Sequence, residues 1–181
     1  MPETLPSISA LDPLILNLPT GSLRGSLIGD VRRYLGVPYA APPVGALRFA
    51  APQPVQQWSG LRDATQRGFI APQPVPTPEE WEKALPGLNI QPLIGADQVQ
   101  GDDFLVLNVW TPSNAANAPV MVSIHGGAFT GGAGAADVYD GAAFARAGIV
   151  CVTINYRLGI EGFLPIEGAP TNLGLRDQIF A

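Results

Sequence analysis

The residues best suited to chemistry lie together in Ile124-His125-Gly126-Gly127-Ala128-Phe129-Thr130-Gly131-Gly132. This stretch leaves the end of an apolar, strand-like run, on the side of an α/β sheet where ligands bind. Glycines lack Cβ atoms, so backbone N–H groups can turn toward a bound group and approach it closely. An oxyanion hole requires that approach when a carbonyl oxygen gains charge during acyl transfer. A plain strand-to-helix connection or a phosphate cradle at a helix N-terminus would also use such glycines. The chain contains neither G-x-G-x-x-G nor G-x-x-x-x-G-K-[ST], and the loop is long and carries a Phe, which counts against phosphate.

His125 is the only histidine and therefore the only imidazole available as a general base. A triad base needs a nucleophile within hydrogen-bond reach and a carboxylate to orient it. Its position at a strand end, directly before the glycines, fits a different role, that of ordering the loop through hydrogen bonds. None of Ser7, Ser9, Ser22, Ser26, Ser59, Ser113 and Ser123 sits in a G-x-S-x-G elbow. Cys151, the single cysteine, lies inside an apolar run, where a free thiol behaves as a small buried hydrophobe. It offers no disulfide and no metal site, and no cofactor is expected.

The elements that must position the loop are readable around it. Phe104 to Trp110, Pro119 to Ile124 and Gly148 to Tyr156 are near-continuous runs rich in Val, Ile and Leu, as in strands buried on both faces. Between the last two, Asp140 to Gly148 reads as a short helix closed by a glycine, which completes a βαβ unit. The fold class is therefore α/β with a central sheet. Upstream, short runs from Thr20 to Tyr39 broken by Gly21, Gly25, Gly29 and Gly36 predict a small antiparallel meander leading into that sheet. Ala40 to Pro52 carries too many prolines for a helix or central strand and should run over the surface. Residues 70 to 101 read as irregular, except for a short helix at Pro78 to Ala84 capped by Thr77 with acidic residues in its first turn. The final Asn172 to Ala181 reads as a helix cut off in mid-course.

Composition excludes several classes of partner. With 181 residues, 46% of them apolar, the chain can bury a sizeable core, and 21 Gly with 19 Pro imply many loops laid over it. The net charge is -5, and nine scattered Arg with one Lys, Lys83, form no basic patch, so nucleic acid is not expected as a partner. The longest apolar runs are far short of the ~20 residues that span a bilayer, so no membrane span is expected. The first basic residue, Arg24, follows the apolar stretch Leu14 to Leu18 instead of preceding it, so a secretory signal is not seen and a cytoplasmic location is the expectation.

Several further motifs stand in one order along the chain. Leu35-Gly-Val-Pro-Tyr-Ala-Ala-Pro-Pro-Val-Gly-Ala-Leu-Arg-Phe49 is followed by Trp58-Ser-Gly60, Asp63-Ala-Thr65 and Asp102-Asp-Phe-Leu-Val-Leu-Asn-Val-Trp-Thr-Pro112. After the glycine loop come Asn155-Tyr-Arg-Leu-Gly159 and Asn172-Leu-Gly-Leu-Arg-Asp-Gln178. From about Gly21 onward this series resembles the carboxylesterase type B (cholinesterase-like) family of the α/β-hydrolase superfamily. The resemblance implies that residues 1–181 are the N-terminal portion of one such domain, an incomplete α/β-hydrolase fold in which a small antiparallel meander leads into a central mixed sheet. It also implies an oxyanion hole built from the N–H groups of Gly127 and Ala128, with Gly126 setting the loop geometry and a third N–H from the residue after the serine. Phe129 and Gly131 become candidates for contact with the substrate, a small-molecule carboxylic ester. Arg48 with Asp102, and Arg157 with Asp177, occupy positions of buried structural ion pairs in the family, and His125 is likewise assigned to the scaffold.

Two departures from the family pattern stand out. The signature cysteines are replaced by Phe104 and, in Phe69-Ile-Ala-Pro-Gln73, by Ala71, so both halves of the family's first disulfide are missing together. That suits a reducing compartment. In addition, the family's nucleophilic serine, acid and histidine all follow the Asn172 to Gln178 motif, and the strand that carries the serine flanks the strand before the glycine loop in that fold. The resemblance therefore implies that Pro119 to Ile124 is an open edge here and that the 181 residues are inactive alone and prone to self-association. Two functions are compatible with this sequence: a serine ester hydrolase acting through an acyl-enzyme, and a non-catalytic cholinesterase-like binding or adhesion module.

Overall fold

The structure of the chain, a computed structural model, describes residue 12 and residues 14–95 and 98–181. Ser7 and Ser9 lie outside the described residues. Two sheets form the scaffold. A three-stranded sheet contains β1 (Ile15–Leu18), β2 (Gly21–Arg24) and β5 (Leu61–Asp63), with β2 in the middle. A five-stranded mixed sheet has the order β3 (Ser26–Ile28), β4 (Val31–Pro38), β6 (Val106–Pro112), β8 (Val150–Ile154) and β7 (Val120–Ile124). The expected meander is thus divided: β1 and β2 pair in one sheet, β3 and β4 in the other. The division falls at Gly25, where a Cβ would lie 2.6 Å from the Arg33 carbonyl oxygen and from the Tyr34 ring. Only glycine lets the chain cross from one sheet to the next this closely to β4.

Side-chain alternation along β6 loads both faces of the large sheet. Leu107 and Val109 pack toward the small sheet with Leu23, Tyr34, Val37 and Trp58. Trp110 points the other way, into a cluster with Val31, Leu35, Cys151, Ala142 and Ala145. The two alanines belong to α3 (Ala142–Arg146), the helix of the expected βαβ unit, and β7 and β8 on either side of it are parallel. Burying each large apolar side chain of these clusters contributes roughly 1.5–3 kcal/mol.

The helix at Pro78–Ala84, α1, forms as the sequence predicts, with a full capping box between Thr77 and Glu80. Two short helices were not legible: α2 (Gln91–Ile94) and α4 (Gly159–Phe163). The last helix, α5, spans Leu173–Phe180. β7 differs from the expectation of burial on both faces, since Val120, Val122 and Ile124 are 62%, 57% and 51% exposed. Among the described residues β7 pairs with β8 alone and is an edge strand, so its outer face has nothing packed on it. No helix among the described residues is long and apolar enough to cross a membrane.

Because β7 runs parallel to β8, with Val120 opposite Val150 and Ile124 opposite Ile154, both strands end at the same edge of the sheet. Residues 125–134 and 155–158 leave from that edge side by side. That adjacency creates the site.

Candidate active site

Three consecutive residues after β8 fix three separate parts of the surroundings. The Asn155 side chain accepts the Gly134 N–H at 2.8 Å and donates to the Phe69 carbonyl at 3.0 Å. Tyr156 stacks its ring on His125, with centroids 4.6 Å apart and planes inclined by 18°. Arg157 turns to α5 and meets Asp177 in a two-pronged pair, Nε to Oδ2 at 2.8 Å and Nη2 to Oδ1 at 2.6 Å, with both side chains fully buried. Nη1 of Arg157 also donates to the carbonyls of Arg48 and Ala50, which ties the 48–50 segment to the same arginine.

The second expected ion pair takes another form. Arg48 is half exposed and pairs with Glu161, with Nε 2.9 Å from Oε1, while Asp102 is exposed and forms no ion pair with it. The reason is α4, a helix with no clear signal in the sequence, which brings Glu161 beside Arg48. Asp102 lines the same small cavity as these two residues without closing on either. At the missing disulfide, Ala71 and Phe104 share one buried apolar cluster with Ala40, Leu105, Tyr156 and Leu158.

The glycine loop is held from both ends. His125 is buried, and its Nδ1 donates to the Gly126 carbonyl at 2.8 Å. Burial pushes the imidazole pKa below its ordinary value, against the opposing pull of that hydrogen bond. The stack on Tyr156 and the bond to Gly126 together tie the imidazole to the start of the loop. The Gly126 N–H donates to the Tyr139 hydroxyl at 3.0 Å. Gly127 has φ +120°, and its carbonyl accepts from the Thr130 N–H at 3.0 Å, the Gly131 N–H at 3.1 Å and the Thr130 hydroxyl at 3.1 Å. Ala128 and Phe129 follow with φ of 54° and 62°, two successive left-handed residues that close the turn. At the far end Gly134 is gripped by Asn155, by the Thr153 hydroxyl at 2.7 Å and by the Asn108 amide at 3.2 Å.

Within this tightly bonded turn, the N–H groups of Gly127 and Ala128 have no acceptor among the described residues. Both residues are exposed, so these N–H groups are accessible to water or to a ligand. Gly126, Gly127 and Gly131, but not Ala128, line a cavity of about 570 Å³, whose other walls come from Trp81 of α1, Leu93 and Ile94 of α2, and Pro74 to Pro76. Of the two expected substrate contacts, Gly131 lies on this cavity. Phe129 does not line it; its ring packs 4.9 Å from Phe163 and edge-on to Tyr156. Sequence reasoning missed Gln73, Tyr139, Asn108 and Thr153 as loop supports. A polar residue inside an apolar strand was the available signal for Asn108 and Thr153, because a buried amide or hydroxyl must find partners.

The model of the carboxylesterase family matches residues 12–181. The chain belongs to the carboxylesterase family. It is 41% identical over 173 residues to para-nitrobenzyl esterase of Bacillus subtilis (strain 168), a match covering 92% of the chain and 33% of that protein. Acetylcholinesterase of Gallus gallus is also 41% identical, over 174 residues, covering 90% of the chain and 22% of the relative. Cholinesterase of Mus musculus is 39% identical over 179 residues, 94% of the chain and 29% of the relative. Solved structures of PNB esterase and of a thermophilic PNB esterase superpose with TM-scores of 0.81 and 0.80, each at 38% identity and covering 93% of the chain and 34% of the solved one. The fold is that of an α/β-hydrolase, and the chain spans about a third or less of the length of the curated relatives it matches.

Proposed function

We propose that this carboxylesterase-family chain is the oxyanion-loop segment of a serine carboxylester hydrolase. The observation that carries the reading is the pair of unpartnered N–H groups at Gly127 and Ala128, in a turn that borders a cavity of about 570 Å³ beside the ends of β7 and β8. In this mechanism a serine hydroxyl attacks the ester carbonyl carbon and a base takes its proton. The carbonyl oxygen becomes an anion, and the two N–H groups donate to it when the charge is largest. Collapse of the tetrahedral adduct expels the alcohol and leaves an acyl-serine, which water then hydrolyses with the same oxygen stabilised again. The serine belongs to a G-x-S-x-G turn, a place that none of the seven serines of these 181 residues occupies. A reducing compartment accords with Ala71 and Phe104 at the disulfide positions.

The full-length protein containing this chain should hydrolyse a short-chain p-nitrophenyl ester, with turnover abolished by a serine-directed phosphonate. The 181 residues alone should give no turnover above background. A full-length protein that turns over no ester would favour a binding module, and turnover by the 181 residues that the phosphonate abolishes would place the nucleophile elsewhere.

A further inference from the structure

The loop's exit arm, Gly132, is held by a side chain from a distant segment. Gln73 accepts the Gly132 N–H on Oε1 at 2.7 Å and donates from Nε2 to the Gly132 carbonyl at 2.9 Å. Its second amide hydrogen goes to the Ala71 carbonyl at 3.1 Å. The primary amide thus pairs with Gly132 as a strand residue would, and among the described residues it is the sole hydrogen-bond partner of both Gly132 backbone groups. One step farther out the pattern repeats. Gln100 accepts the Gln73 N–H on Oε1 at 3.1 Å and donates from Nε2 to the Gln73 carbonyl at 2.8 Å. Gln100 is in turn aligned with Ile70 by a parallel bridge.

Gly132 has no slack. At φ +103° a Cβ there would collide with the Gly126 carbonyl oxygen and lie 2.5 Å from Nδ1 of His125. At Gly127 an added Cβ would likewise collide with the preceding Gly131 carbonyl. A shift of Gly132 is therefore transmitted to both arms of the turn bearing Gly127 and Ala128. We propose that Gln73 is a positioning residue for the oxyanion loop, clamping Gly132 through its side-chain amide and itself held in register by Gln100. This inference rests on the esterase reading above.

The test uses the full-length protein. Gln73→Met keeps the volume and removes three hydrogen bonds. It should lower kcat for a p-nitrophenyl ester by about ten- to a hundredfold, the scale of misplaced catalytic groups, with KM changed by no more than about twofold. The Ki of a trifluoromethyl ketone, which forms a tetrahedral oxyanion adduct, should rise by the same factor as kcat falls. Gln73→Glu adds a readout that loss of stability would not move. Its ionised carboxylate cannot donate to Gly132, whereas the protonated acid can, so its activity relative to wild type should climb as pH falls through the carboxyl range. Gln100→Met should act in the same direction and more weakly. Gln73→Met with undiminished kcat, a loss confined to KM, or a pH-independent Gln73→Glu ratio would overturn the inference; where Gln73→Met fails to fold, the Gln73→Glu ratio decides. If Gly127→Ala alone loses kcat, the clamp falls and the oxyanion reading stands. If the wild-type protein hydrolyses no ester, or Gly127→Ala keeps its kcat, both fall.

Discussion

Replacing Gly127 by Ala changes one methyl group at the centre of the turn. At φ +120° an L-residue is strained by about 1–3 kcal/mol before any contact is considered. The added Cβ would lie 2.6 Å from the Gly131 carbonyl carbon and closer still to its oxygen, well inside the 3.0 Å that real Cβ atoms keep. Relief requires the 127–131 turn to open, and that turn is closed by hydrogen bonds of 3.0–3.1 Å to the Gly127 carbonyl. Opening it turns the Gly127 N–H away from the place proposed above for the oxyanion. Loss of one such donor lowers kcat by about a hundred- to a thousandfold, or ~2.7–4 kcal/mol. Steady-state kinetics of the full-length protein on a p-nitrophenyl ester measures this, with the loss expected in kcat and little change in KM. Gly29→Ala serves as the control. Its φ is +60°, and an added Cβ meets nothing within 4 Å, so it should cost about 1 kcal/mol of stability and leave kcat alone. A Gly127→Ala enzyme with wild-type kcat would refute the assignment of this N–H to the oxyanion hole.

Asp177→Asn leaves Arg157 buried without its counter-charge, so urea or thermal unfolding should register a loss of about 3–5 kcal/mol, and a loss below about 1 kcal/mol would mean the pair is dispensable. His125 binds its proton less readily when folded than at the ordinary imidazole pKa of 6.5, so the unfolded state takes up the proton first as pH falls. Its stabilising contribution is complete above pH 6.5 and is lost as pH drops from there through the depressed folded value. The fall in Tm between about pH 7.5 and 5.5 should therefore be smaller in His125→Gln than in wild type, and equal falls would contradict this. Expressed alone, the 181-residue chain should self-associate and bind a hydrophobic dye, because β7 offers an unpaired edge and the outward side chains Val120, Val122 and Ile124. A monodisperse 19.0 kDa species with a sharp cooperative melt would sink that expectation.

Local rules were enough for elements whose causes lie within a few residues. Thr77 and the acidic residues after it mark the start of α1, and the apolar runs at 104–110, 119–124 and 148–156 announce the strands found at 106–112, 120–124 and 150–154. The glycine loop and its exit from a strand end were legible for the same reason: the residue types needed for close backbone approach are contiguous in the chain. The Val-rich pattern of β7 reads as a strand buried on both faces, and only the family resemblance implied an open edge there, because strand order is decided by pairing across the fold. Sequence alone could not show that Arg48 reaches Glu161 in preference to Asp102, since a five-residue helix rich in glycine has no signature strong enough to be read in advance. Gln73 is the sharpest case. Its amide meets Gly132 across 59 residues of sequence, through a bridge between Ile70 and Gln100 that no periodicity encodes. An amide in an irregular, proline-rich segment looks like solvated surface until the tertiary structure sets it against a backbone with no other partner among the described residues.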